Sequence, residues 1–486
     1  MKTLQLSIVL IYLVFCVLLG LWTQRKIANS KAGIDDYYAA GRNIGTGINS
    51  LALLAALGSG GSFMAGAGTI WNLGFPFLAW MTVGAIAGFS VAAILVAKPL
   101  RNSNTLTVSQ FLNERYGGNK FIKLAVPLVI IFGSGMYLMS QMKAGGLITS
   151  YVTGFSYTWG LIIVTIIFIL YVSLGGMLAV TWTNVLQGGL MILLISAIVI
   201  AALMNLPTGL GSFLVQATEA NPILGVAGGT VPIAGYIGAF VTWAAAVCVT
   251  PHLVMRIFTS KDEKSARLSL NISMLIYGIL MLVSALIIVP FIATLGADTL
   301  KNNASDMWML LVAEKFFGPL MMGIIAAGIM AAVMSSTDAL LLAVSSAVAY
   351  DLYKGVLKPE ATQKQVLRVS FVVTWIIGIV VMLFSINPPP FLIVLYTAAV
   401  GFMVASFFNP LVLGIWWKKA NAAGAVAGLS VGAISFLIAF FAFEMPYNTE
   451  ILIALPLSFI SMFTVSSITA STSKIQVEKM SSYHSN

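Results

Sequence analysis

An all-helical, polytopic membrane protein with about thirteen transmembrane helices is the fold class this sequence predicts. Three observations predict it. The 486 residues are 59% hydrophobic and 8% charged, with a mean hydropathy of +0.99; a soluble domain carries about 25% charged residues. Apolar stretches of about 18 residues or more, long enough to cross a bilayer as helices, recur thirteen times along the chain. The basic residues between those stretches alternate so that nearly all share one side.

Taken in order, the first apolar run (5–23) follows a single Lys2 and ends in WTQRKI, with no small-residue cleavage site. A retained membrane helix is therefore expected there, not a removed signal peptide. Spans two to six fall at 48–72, 75–97, 124–149, 157–177 and 183–204. Spans seven to eleven fall at 232–256, 268–295, 319–352, 366–386 and 390–416, and the last two at 421–443 and 448–470. The apolar piece 307–317 is too short to span and is expected at the membrane interface. The resulting organisation is an extra N-terminal helix and cytoplasmic loop (1–47), a first five-helix repeat (48–204), an extracellular loop (205–231), a second five-helix repeat (232–416), two C-terminal helices (417–470) and a cytoplasmic tail (471–486). The tail is too short for an appended sensor domain.

Loops 24–47, 98–123, 256–267 and 353–368, with Lys418, Lys419, Lys474 and Lys479, hold 21 of the 25 lysines and arginines. Thirteen spans put all of these on one face, leaving Lys2, Lys301 and Lys315 on the other and Lys143 within a span. The positive-inside rule then predicts a multi-pass protein of the cell membrane with its N-terminus outside and its C-terminus in the cytoplasm. The net charge of +10 is thus a topology signal, not a nucleic-acid surface. The expected partners are the lipid bilayer and a small-molecule solute.

Two spans are interrupted. Span two carries Gly58, Gly60 and Gly61 at its centre, and span seven carries Pro251 in its cytoplasmic half. Unwound backbone in a membrane is tolerated where it lines a cavity. Spans two and seven are five apart, the spacing of corresponding members in two inverted repeats, 2–6 and 7–11, with a substrate site near the midplane. Small residues that merely allow close helix packing are the competing explanation of the glycines.

Span nine carries Ser335, Ser336 and Asp338 inside a membrane-length apolar run. Ala332, Ser335 and Asp338 recur at i, i+3 and i+6 and share one side of the helix. Oxygen ligands without sulfur or imidazole suit a hard cation, and an acid in hydrocarbon costs roughly from a few to more than ten kcal/mol unless it faces a cavity or a partner. Hydroxyls bonding back to their own helix, with Asp338 paired for packing, are the alternative.

Other chemistry has little support. His252 and His484 are the only histidines, Cys16 and Cys248 both sit in apolar runs, and no GxxxxGK[ST] loop occurs. A histidine or cysteine metal cluster, an organic cofactor and direct ATP drive are therefore not expected, nor is an enzyme. A cation channel, passing ions without solute, is the rival from another class.

DDYYAAGRNIG before span two, SFMAGAG within it, SLGGMLAVTWTNVLQGG across spans five and six, TPHLVMRIF in span seven and AAVMSSTDALLLAVSSAVAYDLYK in span nine resemble the sodium:solute symporter family. The resemblance extends to about residue 470 and implies the leucine-transporter-type five-plus-five inverted repeat, with one helix before it and two after. It implies sodium as the coupling ion, held by the carbonyls of Ala55, Gly58 and Ala332 and the side chains of Ser335 and Ser336. Relatives commonly carry an aspartate where this chain has Asn184, and a small or uncharged residue where it has Asp338. A carboxylate moved from span six to span nine would keep one negative charge for a second cation, sodium or a proton. A protonated Asp338 that only hydrogen-bonds Asn184 or a carbonyl is the alternative.

For the solute, the resemblance implies a site between the broken spans, with walls from spans four and eleven. Trp243 matches a family aromatic in span seven. Tyr137 and Gln141 lie four apart on one face of span four. Lys143 could meet a substrate carboxylate, or snorkel, or pair with a carbonyl. The fragments YLMSQMKAGGLI, GGMLAVTW and PHLVMRIFT look most like the pantothenate and acetate-monocarboxylate branches, and Val247 stands where proline-type members carry a tyrosine. The expectation is a sodium-coupled importer of a small carboxylate, pantothenate or a short monocarboxylate. Proline, another amino acid or a sugar is the alternative within the family. Moving one charge across 100 mV is worth about 2.3 kcal/mol, which coupled sodium would supply.

Overall fold

The computed structural model describes residues 2–28, 33–204, 209–225, 231–295, 305–388, 392–445, 447–469 and 472–484. The predicted loop 205–231 is thus described only in part, and Lys31 and Lys301 lie outside the described residues. Almost all the described residues are helical. An isolated bridge between Ile44 and Ser260 supplies the strand-like pairing, with the Ile44 amide donating to Thr259 O at 3.0 Å.

The membrane-length elements are α1 (Lys2–Ala28), a discontinuous span made of α2 (Thr46–Leu57), α3 (Gly60–Phe63) and α4 (Ala65–Leu73), then α5 (Phe75–Leu95), α6 (Lys120–Thr153) and α7 (Tyr157–Met204). A second discontinuous span follows as α8 (Ile233–Val249) and α9 (Pro251–Thr259), then α10 (Glu263–Leu295) and the short α11 (Trp308–Phe316). The chain ends with α12 (Pro319–Ser346), α13 (Gln363–Phe384), α14 (Leu392–Trp416), α15 (Ala422–Leu437) and α16 (Ile451–Ile468).

Ten of these helices are long and apolar enough to cross a membrane, and α8 with α9 forms an eleventh span bent by 40°. At 1.5 Å per residue the 48 residues of α7 run about 72 Å, far more than one bilayer crossing. It is two spans in succession, turned at Gly176, where φ 52 and ψ −153 leave helical geometry. A Cβ there would lie about 2.5 Å from the Tyr37 ring, so the position excludes a side chain on two counts. The discontinuous α2–α4 is the thirteenth crossing. The expected loop between spans five and six is therefore helix, because a single left-handed glycine makes the turn.

The core lies between the two discontinuous spans. α12 is buried almost throughout, with no side chain from Ile329 to Val344 more than 2% exposed. α1, α13 and α16 instead present wide apolar faces outward, as helices on the lipid side do. α12 continues as a π-helix over Ala347–Leu357, so the predicted basic loop 353–368 begins inside a helix.

Packing adds detail to two of the predicted segments. The 307–317 piece packs on the protein through its first residues: Trp308, Met309 and Leu310 are buried, and Trp308 Nε1 donates to Phe63 O at 2.9 Å. Arg256, counted with the loop 256–267, lies within α9, and Arg115, between α5 and α6, is buried and not solvent-exposed. Arg115 is buried and donates to Gly414 O and Ala420 O, while Arg256 is fully buried and donates to Thr181 Oγ1 at 2.9 Å.

Candidate cation and solute site

A helix that stops in a membrane must find partners for its last carbonyls. α2 stops at Gly58, whose ψ of 96 is extended, and Ser59 (ψ 170) carries the chain on to α3. The carbonyls released are met by serines. Ser62 Oγ donates to Leu57 O at 3.2 Å, Ser336 Oγ to Ala56 O at 3.1 Å, and Ser335 Oγ lies 2.8 Å from Ala55 O and 3.4 Å from Gly58 O. Ser335 Oγ is also 2.9 Å from Ala332 O of its own helix. Ser59 caps α3 by accepting from Ser62 N at 3.2 Å. The hydroxyl pair in α12 and the break in α2 therefore face each other.

The sequence-predicted oxygens of Ala55, Gly58, Ala332 and Ser335 share one fully buried cluster. Ser336 lies beside it, turned to Ala56 O, a carbonyl that sequence reasoning had not named. Ser335 has one proton and three carbonyls around it, so acceptors outnumber donors. Ligands at roughly 2.3–2.6 Å from a hard cation stand about 3.3–3.7 Å apart when they meet at right angles. The closest pairs need to open by only on the order of half an ångström to admit one.

The glycines of α3 are there for close approach. A Cβ on Gly60 would come within 2.9 Å of Ala144 and Val333, and one on Gly61 within 2.8 Å of the Tyr396 ring. α3 is wedged among α6, α12 and α14, and Gln141 fixes it by accepting from Gly60 N at 3.1 Å. Tyr137, one turn earlier on α6, packs against His252 of α9 (5.5 Å between ring centroids) and Tyr396 of α14 (5.8 Å). The structure thus brings both residues to the breaks.

Between the two breaks lies a cavity of about 20 Å³, room for about one water. Ser62, Thr82, Trp243, Tyr277, Trp308 and Tyr396 line it. Trp243 packs on Tyr396 at 5.4 Å, and its buried Nε1–H has no hydrogen-bond partner among the described residues. The centre is closed in this conformation, and α11 closes it. Lys143 lies in an ion pair with Asp306, 3.4 Å apart and both buried, while Trp308 reaches Phe63 O and Tyr151 donates to Glu314. Lys143 is therefore placed with the closing segment, not with the wall of the cavity. Tyr396, Trp308 and Asp306 were missed at the sequence level, since each acts across more than 160 residues of chain.

Asp338, a turn beyond Ser335, is fully buried, and neither carboxylate oxygen has a hydrogen-bond partner among the described residues. α1, which carries Tyr12 and Cys16, packs against α12. Asn184 is not its direct partner. With its amide oriented to suit its neighbours, Asn184 donates to Gln187 Oε1 (2.7 Å) and Val180 O (3.0 Å) and accepts from Arg256 (2.7 Å). Gln187 in turn donates to the Tyr12 hydroxyl at 3.0 Å, so a polar chain runs from Arg256 to the helix beside Asp338.

A family model for the sodium:solute symporter family matches residues 37–432. The osmoregulated proline transporter OpuE of Bacillus subtilis is 27% identical over 435 residues, covering 88% of this chain and 87% of that protein. Sodium/proline symporter 2 of Staphylococcus saprophyticus is 29% identical over 445 residues, covering 88% and 84%. Among solved structures, a Na⁺-coupled sialic acid symporter in a substrate-bound outward-open state superposes with a TM-score of 0.82 at 18% identity, covering 97% of this chain and 99% of that one. MhsT in complex with L-phenylalanine superposes at 0.56 with 17% identity, covering 86% and 97%.

Proposed function

The chain belongs to the sodium:solute symporter family, a family of sodium-coupled transporters, and on that premise we propose that it imports L-proline or a close zwitterionic relative by alternating access. One sodium ion sits at the carbonyls of Ala55, Gly58 and Ala332 and the hydroxyls of Ser335 and Ser336. The observation that carries the proposal is the crowding of three carbonyls on Ser335 where α2 breaks. Its N-terminus lies outside and its C-terminus in the cytoplasm, following the one-sided basic loops.

The expectation of pantothenate or a short monocarboxylate is corrected. The curated relatives reported above are proline transporters along 84–87% of their own length. That expectation rests on the fragments YLMSQMKAGGLI, GGMLAVTW and PHLVMRIFT and on Val247 standing where proline-type members carry a tyrosine. Lys143, a candidate for a substrate carboxylate, lies against Asp306. Val247 packs toward Gly88 of α5: a Cβ there would lie 2.9 Å from it. The cavity is left with neutral hydroxyl, indole and aromatic groups. Such a wall suits a zwitterion whose carboxylate faces the start of the outer half-helix (60–73) and whose amine faces the last carbonyls of α8. Trp243 Nε1, with Tyr137 and Gln141 behind it, completes the solute wall.

The test is uptake of labelled L-proline into proteoliposomes under an inward sodium gradient, with acetate and pantothenate as competitors. Accumulation that needs sodium and resists both competitors is expected. Sodium current without solute accumulation would make the protein a channel. Proline uptake undiminished in the Ser335→Ala/Ser336→Ala double variant would overturn the cation site.

A further inference from the structure

A second cavity, of about 480 Å³, lies away from the closed centre. It is bounded by α4, the start of α14 and the link that joins α15 to α16. That volume is in the range that holds a small organic molecule. Its wall has two chemistries. Phe77, Phe440 and Tyr447 present aromatic surface, with Phe77 and Tyr447 edge to face at 6.2 Å. Asn72, Thr397 and Glu450 present polar groups.

Glu450 is the informative residue. It directly precedes α16 and is 4% exposed. Its Oε2 accepts no hydrogen bond among the described residues, and no lysine, arginine or histidine lines the cavity. The link holding it lies on the outer half of α8, where Asn448 O fills the space that a side chain on Gly238 would need. A carboxylate held this way is strongly unfavourable without a counter-charge. A bare divalent metal would ask for several more oxygen ligands, and no cluster of three or more acidic, histidine or cysteine side chains occurs among the described residues. One acid facing aromatic rings is instead the arrangement that recognises an organic ammonium group.

We infer that this cavity is a separate, outer binding site for a small organic ammonium group, with Glu450 as its counter-ion and Phe77, Phe440 and Tyr447 as its aromatic walls. A ligand here touches α4 and α14, the elements that carry the second half of the broken span and Tyr396.

The test uses the full-length protein in lipid nanodiscs and equilibrium binding of radiolabelled choline, which carries the ammonium group without a carboxylate. Saturable binding of about one choline per chain is expected. Glu450→Gln should weaken it about tenfold or more, because a charge-assisted contact is lost. Thr397→Trp, which fills the cavity and leaves the acid in place, should weaken it similarly. The Ser335→Ala/Ser336→Ala variant should bind choline like the native protein, which separates this site from the sodium site on which the proposed transport rests. Burial pushes the Glu450 carboxyl up to about 7, and Tyr447 is the other titratable group facing it. Choline affinity should therefore fall as pH drops from 8 to 6 in the native protein and stay level in Glu450→Gln. Absence of saturable binding, binding unchanged in both Glu450→Gln and Thr397→Trp, or binding lost only in the serine variant would overturn the inference.

Discussion

Ser335→Ala removes the one hydroxyl that three carbonyls share at the break in α2. Two quantities follow from its geometry. With no ion bound, Ala55 O loses its 2.8 Å donor and remains buried, which costs about 1–3 kcal/mol of stability. With sodium bound, one of five oxygens is gone. A hydrogen bond or dipole contact to a charged group is worth about 1.5–3 kcal/mol, so the sodium concentration for half-maximal uptake should rise about 10- to 150-fold. The assay is the initial rate of labelled proline uptake into proteoliposomes as external sodium is varied. Thr337→Ala is the control, because Thr337 Oγ1 bonds only its own helix, at Val333 O (2.7 Å). It should leave the sodium dependence within about twofold. A Ser335→Ala protein that folds and shows native sodium dependence would refute the assignment.

Three further outcomes are expected. Lys143→Met or Asp306→Asn alone should lower the melting stability by about 3–5 kcal/mol, since each breaks a buried ion pair; the double variant Lys143→Met/Asp306→Leu should recover most of it, and differential scanning fluorimetry reads both. Glu450 gives a pH signature: the unfolded chain releases this proton near 4.5 and the folded chain near 7, so stability is highest below 4.5, falls as pH rises toward 7 and levels above it, whereas Glu450→Gln should lack this component in melts between pH 5 and 8. Asp338→Asn should reduce the steepness of uptake against the second cation, sodium or proton, and unchanged dependence on both would remove Asp338 from the coupling mechanism.

Most of the fold was legible because a membrane permits so few solutions. Apolar length marks the spans, and Gly58 and Pro251 mark breaks that hydrocarbon would otherwise forbid. The serine–carbonyl cluster was legible in part: Ser335 and Ser336 are hydroxyls in an apolar helix, while the carbonyls of Ala55, Gly58 and Ala332 were named only through the family resemblance. What the sequence concealed are partners at long range. Nothing in AEKFF or SDMW says that Asp306 reaches Lys143 across 163 residues, or that Trp308 covers Phe63. Tyr396 is one aromatic in a long apolar run, yet it touches Tyr137, Trp243 and the face of α3. Hydropathy treats such a residue as lipid-facing or core alike; only packing separates the two.

Arg256 shows the same limit from the other direction. An apolar window ends at an arginine by construction, so a basic residue at the end of a span is assigned to the loop. In the structure α9 is the second half of a broken span, and its last turns are still inside the protein. Arg256 then needs acceptors at depth, and it finds Thr181 and Asn184, both neutral groups. A buried acid stands at Asp338, on another helix, and the described residues form no ion pair between the two. A buried base without an acid and a buried acid without a base each carry a desolvation cost that packing alone does not offset. A cation held beside Asp338 would offset the cost at the acid, while Arg256 keeps its neutral partners. The separation of the two charges is therefore the physical reason to look for coupling at Asp338 and not at Asn184.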